Sequence, residues 1–248
     1  MKTTTVMLVA ALSAVSAFAE FNYQSEMTVS GYAGESSLEG FPILVRISSA
    51  RIPGYRGTLC QDDGKDIRFL SPDGETTYPH EIEHWDPSGE SLVWVRLPEL
   101  SGTETKFLFQ FGDETVAEAP SSAGVWASSA GGAYAGVWHF GEHATTGAET
   151  VADSAKRQPG LVLDAVPEKG TKGNMSQMVS VEGPVGYGRI NATTDTDSGN
   201  RFVVPSYDAL GLGSSFTFSG WVKATGQAQK GGYFVSRKTG DAADSGWQ

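Results

Sequence analysis

Three acids fall within six residues in the segment His80-Glu81-Ile82-Glu83-His84-Trp85-Asp86. On an extended strand Glu81 and Glu83 share one face, with their Cα atoms about 7 Å apart. Two carboxylates flanking a glycosidic bond are what acid/base hydrolysis requires, so Glu81, Glu83 and Asp86 are the candidate catalytic residues. The plainer alternative, which we prefer, is a strand edge whose charges face solvent and oppose aggregation. His80 and His84 share the parity of Ile82, but residues four apart on a strand lie about 13 Å apart, too far for one zinc ion. His139 and His143 have no third ligand nearby in sequence and read as structural or exposed.

Asp153 is the candidate metal ligand, since a loop carboxylate could serve calcium, which takes six to eight oxygens. Asp195 and Asp197 stand in a polar loop, and nothing in the sequence brings them to it. A turn or capping role is the alternative for Asp153. Among Trp85, Trp94, Trp126, Trp138 and Trp221, aromatic faces invite stacking on sugar rings, although most of these residues read as core. Trp221 shares its face with Thr217 and Ser219, which makes it the candidate ligand-binding residue.

No Ser-His-Asp order, phosphate-cradling glycine turn before a helix, or Cys/His cluster is present. With Cys60 the only cysteine, no disulfide can form within the chain, and stability must come from packing. The net charge of -11 would repel phosphate backbones and anionic lipid, which argues against nucleic acid as a partner. Residues 1–19 carry one Lys, an apolar Val6-to-Leu12 run and an Ala17-Phe18-Ala19 ending, the layout of a cleaved secretory signal with the cut before Glu20. That run is too short for a membrane span of about 20 residues, and nothing later approaches one. The expected location is outside the cytoplasm: periplasm, cell surface or extracellular.

These residues need strands to position them. From residue 20 to 120, apolar residues alternate or form short runs between turns: Phe41 to Ile47, Asp66 to Leu70, His80 to Trp85, Leu92 to Leu97, and Lys106 to Phe111 with three Phe on one face. Asp62-Asp63-Gly64, Ser71-Pro72-Asp73-Gly74 and Pro87-Ser88-Gly89 supply the turns. Close strands without crossover helices predict an antiparallel sandwich. Residues 121–136 are rich in Ser, Ala and Gly and read as a linker, with an ordinary long loop as the alternative. A second β pattern follows over 137–248, in Val137 to Phe140, Leu161 to Leu163, Arg201 to Val204, Ser215 to Val222 and Tyr233 to Val235, with extended loops between Glu168 and Gly199. The expected fold class is therefore all-β, two antiparallel jelly-roll-like sandwiches after the leader. The second breaks off at Gln248 on entering a strand, which predicts a longer polypeptide with further domains.

The blocks Gly64-Lys65-Asp66-Ile67-Arg68-Phe69, Tyr78 to Asp86 and Val93-Trp94-Val95-Arg96-Leu97-Pro98 resemble, in order and spacing, domain of unknown function 2341 (DUF2341), found in exported bacterial proteins. That resemblance covers roughly residues 21–112 and implies a small β domain of multi-module envelope proteins, with no known activity. Val137-Trp138-His139-Phe140 with Asp153-Ser154, then Ser215 to Lys223, Phe234 to Arg237 and Gly246-Trp247, is similar to the first half of a laminin-G-like, concanavalin-type jelly roll. Modules of that type often bind glycans or calcium, but the resemblance fixes no residue. The acids at 81, 83 and 86 also resemble the catalytic strand of a concanavalin-type glucanase family. They depart from it in having Glu in the middle and Asp last, and they lie outside the jelly-roll half.

Three functions follow as expectations. The first is a non-enzymatic adhesion or binding module recognising a glycan or another surface partner at the bacterial envelope. The second is a glycan-acting enzyme module. The third is the periplasmic part of a biopolymer-transport protein linked to a proton channel, as in resembling proteins.

Overall fold

The computed structural model describes residues 21–119, 122–127, 134–141, 149–155, 163–168, 180–189, 200–205, 207–212 and 214–223. They form an all-β architecture in which every strand pairing is antiparallel. The leader and the runs 161–162 and 233–235 lie outside the described residues, as do His143, Asp195 and Asp197.

Seven strands build the first region: β1 (Tyr23–Ser30), β2 (Leu38–Ile47), β3 (Ile67–Leu70), β4 (Thr77–Tyr78), β5 (His80–His84), β6 (Ser91–Leu100) and β7 (Glu104–Phe111). They divide into a sheet ordered β1-β7-β3-β4 and a sheet ordered β2-β6-β5. The two sheets enclose one core. Alternation along β7 sends Phe107, Phe109 and Phe111 inward, and all three are buried. Phe109 stacks on Phe111 at 5.0 Å and on Phe69 of β3 at 5.2 Å. Val45, Val93, Val95 and Leu97 meet them from the other sheet. Each such side chain contributes about 1.5–3 kcal/mol by leaving water. The sequence does not single out β1, whose apolar residues are only Tyr23, Met27 and Val29; it lies at the sheet edge, where Glu26 pairs with Lys106 at 2.7 Å.

Strand β6 carries the continuous run Leu92-Val93-Trp94-Val95, the pattern expected of a strand covered on both faces. Val93 and Val95 point into the core, whereas Leu92 and Trp94 point the other way. Its partner β5 has an irregularity: Ile82 opposes Val93 and His84 opposes Leu92, so Glu83 is the extra residue of a β-bulge. The bulge breaks the parity that the sequence assigns to the two histidines. His80 faces Phe69 in the core, whereas His84 is set opposite outward-pointing Leu92 and meets Tyr187 edge-on at 5.8 Å. Asp86 closes the β5–β6 hairpin, accepting from the Ser88 N–H at 2.9 Å, the Ser88 hydroxyl at 2.7 Å and the Gly89 N–H at 3.0 Å.

The later region pairs β8 (Val166–Glu168) with β11 (Arg201–Val203), and β9 (Ser180–Glu182) with β10 (Tyr187–Arg189). An isolated bridge joins Val151 and Ala165. The β9–β10 hairpin falls inside the stretch read as extended loops. Residues 137–140, expected as a strand, join no ladder among the described residues. The Val137 N–H donates to the Asp153 side chain at 2.8 Å and its carbonyl accepts from the Ser154 N–H at 2.8 Å. Phe140 then turns left-handed (φ 57°), a conformation through which a strand does not continue. Residues 215–222 are exposed throughout and pair with no strand among the described residues, and Phe218 and Trp221 stand in solvent.

Candidate functional site

Strand β5 places Glu81 opposite Trp94, on the face of the β2-β6-β5 sheet that points away from the core. The bulge at Glu83 keeps the second carboxylate on that face. These two acids do not line a solvent-facing edge. Segments 122–127, 134–141 and 149–155 cover them, leaving the Glu83 side chain 3% exposed and that of Glu81 20% exposed. The physical reason is apolar: Val125, Trp126 and Ala155 are buried together, with Trp94 and Val137 packed against them.

Between the carboxylates sits the imidazole of His139, 18% exposed. Its Nδ1 lies 2.6 Å from Glu83 Oε2, and its Nε2 lies 3.5 Å from Glu81 Oε2, close enough for attraction but not aligned as a hydrogen bond. Glu83 Oε2 also accepts from Trp94 Nε1 at 2.9 Å. Glu81 accepts from Trp126 Nε1 at 2.5 Å and from the Ser154 hydroxyl at 2.7 Å. The two indoles flank the imidazole, with ring centres 5.4 Å (Trp126) and 6.1 Å (Trp94) from it, within reach of a cation–π attraction. Two glycines let the backbone close over Glu83. A Cβ on Gly141 would fall 2.7 Å from Glu83 Oε1, and one on Gly186, left-handed at φ 58° in the β9–β10 turn, would stand in contact with the same side chain at 3.4 Å.

Burial alone would drive the imidazole neutral, but its contacts with Glu81 and Glu83 outweigh burial and lift its pKa to about 9. Burial opposes the charge on Glu81 likewise. The attraction of His139 and the bonds from Trp126 and Ser154 win and hold that carboxyl below the usual carboxylate range. A catalytic acid of a glycosidase needs the opposite shift, upward toward neutral pH. Chemically the arrangement is a charged imidazole fixed by two acids, with the oxygens of Glu81 already occupied.

The remaining candidates separate. Asp86 stands at the hairpin turn, where bonds from Ser88 hold its carboxyl below the ordinary range, and it makes no bond to the two glutamates. Asp153 is buried, and its Oδ1 accepts from the N–H groups of Val137 and Ala155, the latter two residues on as in an Asx turn. No group of three or more acids, cysteines or histidines placed to hold a metal occurs among the described residues. Trp221 is 81% exposed. Cys60 is half-buried, its thiol pushed up to about 12 by burial first and the charge of Asp66 second, which leaves it unreactive. Sequence reasoning missed His139 and Ser154 as partners of the acids. One signal was present: the outward apolar pair Leu92 and Trp94 announces a second covered face.

Residues 63–150 match the domain of unknown function DUF2341. No curated protein matches the chain, and no solved structure does. The DUF2341 match holds Glu81, Glu83, Trp94, Trp126 and His139 and runs across residues 121–136. Ser154 lies just past its end. No helix among the described residues is long and apolar enough to cross a membrane.

Proposed function

We propose that this chain is a non-enzymatic binding module of an exported envelope or surface protein, and that it recognises a neutral glycan through the exposed aromatic run around Trp221. The observation that carries this reading is the run Phe216 to Val222, where Trp221 is 81% and Phe218 58% exposed. Large exposed aromatics are the usual material of a contact surface, and indole faces stack on the apolar faces of pyranose rings. The net charge of -11 favours an uncharged polymer over an acidic one. The laminin-G-like reading of the later region belongs to this proposal and draws support from the sequence runs 137–140 and 215–223 and from the antiparallel pairs β8–β11 and β9–β10. Export rests on the leader-like residues 1–19.

An array of neutral and acidic polysaccharides, with and without calcium, tests the proposal. Binding to neutral glycans should fall by at least about tenfold in Trp221→Ala, the loss expected of one stacked aromatic. A flat response under all conditions would remove the glycan. The engagement of Glu81 and Glu83 inside the fold supports binding over hydrolysis. Reducing-sugar release that is equally absent from the native chain, Glu81→Gln and Glu83→Gln is the expected result, and release by the native chain alone would restore the enzymatic reading.

A further inference from the structure

The cluster has a property that neither binding nor the core requires: its anions stand on the sheet and its cation on a segment that covers it. Glu81 and Glu83 belong to β5, whereas His139 arrives on the segment 134–141. Ser154, from segment 149–155, and Trp126, from segment 122–127, donate side-chain hydrogen bonds to Glu81 and not to Glu83. We propose that Glu81, His139 and Glu83 form a proton-dependent clasp, in which the charged imidazole holds segments 122–127, 134–141 and 149–155 on the outer face of the β2-β6-β5 sheet, and loss of its proton loosens them together while the sandwich core stays folded.

The geometry gives the reason. With a neutral ring, two covered acids would face each other across the imidazole with no opposite charge between them, a costly arrangement in a site of low dielectric. Among the described residues, the other charged and titratable groups around the site are engaged elsewhere. Arg96 of β6 directs its Nη1 to the carbonyls of Val125 and Ala127. Arg189 of the β9–β10 hairpin faces Glu149 at 3.7 Å. Asp153 accepts from backbone N–H groups, His84 meets Tyr187, and Tyr134 packs on Trp126. The core opposite is independent of the clasp, since it closes on Phe69, Phe107, Phe109 and Phe111. Phe140 adds a sense of direction: the residue after His139 is held left-handed, a conformation unfavourable for a bulky side chain, and loosening the segment frees it.

The folded ring titrates near 9 against 6.5 for a free imidazole, so the clasp is complete below about pH 6.5, weakens as pH rises above that, and is gone beyond about 9. Hydrogen exchange on the full chain from about pH 6 to about pH 10, corrected for intrinsic rates, reads this directly. Protection in 134–141 and 149–155 should drop by at least about tenfold across that range, with β3 and β7 unchanged. Uniform change, or none, overturns the proposal. His139→Gln should show low protection in those segments at every pH with no step, and a step that persists in that variant also overturns it. Should the variant fail to fold, the native series decides alone.

Discussion

A buried histidine and a half-buried one lie on opposite faces of one sheet, and their surroundings put them in opposite charge states. His80 points into the aromatic core, 5.2 Å from Phe69, where burial first and the charge of Arg68 second push its pKa down to about 4. His139 covers the other face, where Glu81 and Glu83 raise its pKa to about 9 despite burial. Burial works against the charge on both rings, and the neighbours decide the outcome. Aromatic rings and an arginine exclude a second positive charge, whereas two carboxylates require one.

The contrast has consequences for stability of opposite sign. For His80 the folded value lies below 6.5, so the unfolded chain binds the extra proton and stability falls as pH drops from about 6.5 to about 4. For His139 the folded value lies above 6.5, so stability falls as pH rises from about 6.5 to about 9. Between them they place the maximum near pH 6.5. Glu81, held below its ordinary range, adds to the acid loss as pH falls from the ordinary carboxylate range through its folded value.

The comparison can be broken at four points. Phe69→Ala removes the ring that meets both His80 and Phe109 and should cost about 3–5 kcal/mol in chemical denaturation, enough to unfold a marginal domain. His139→Ala strands two carboxylates beneath Trp94 and Trp126 and should cost about 3 kcal/mol at neutral pH, while abolishing the alkaline loss of stability. His80→Leu should change neutral stability by less than about 1.5 kcal/mol, since His80 is already neutral there, and should flatten the acid limb instead. Glu90→Ala removes pairs with Arg46 and Arg51 on the partly exposed surface. Solvent screening limits that to under about 1 kcal/mol, further reduced by salt.

Much of the first region was legible because its signals are local. Phe107, Phe109 and Phe111 alternate as a core strand does, and the Asp and Gly turns bracket β3 and β6. That Glu81 and Glu83 share a face also followed from spacing alone. Their burial did not, because it depends on His139, Trp126 and Ser154, which are distant in sequence and carry no pattern pointing back to β5. The bulge at Glu83 was equally silent, having neither Gly nor Pro to mark it, and it set His84 apart from His80. Residues 215–222 alternate in sequence, but a strand also needs a neighbour to complete its ladder, and none of the described residues supplies one.

The central claim is that one sheet separates a neutral histidine from a charged one. Titrating the imidazole nitrogens of the native chain by heteronuclear NMR, with His139 and His80 assigned through single His→Gln variants, tests it most directly. The account predicts a His139 ring protonated at pH 7 that loses its proton near 9, and a His80 ring neutral until about 4. Both rings titrating together near 6.5, the value for free imidazole, would contradict it.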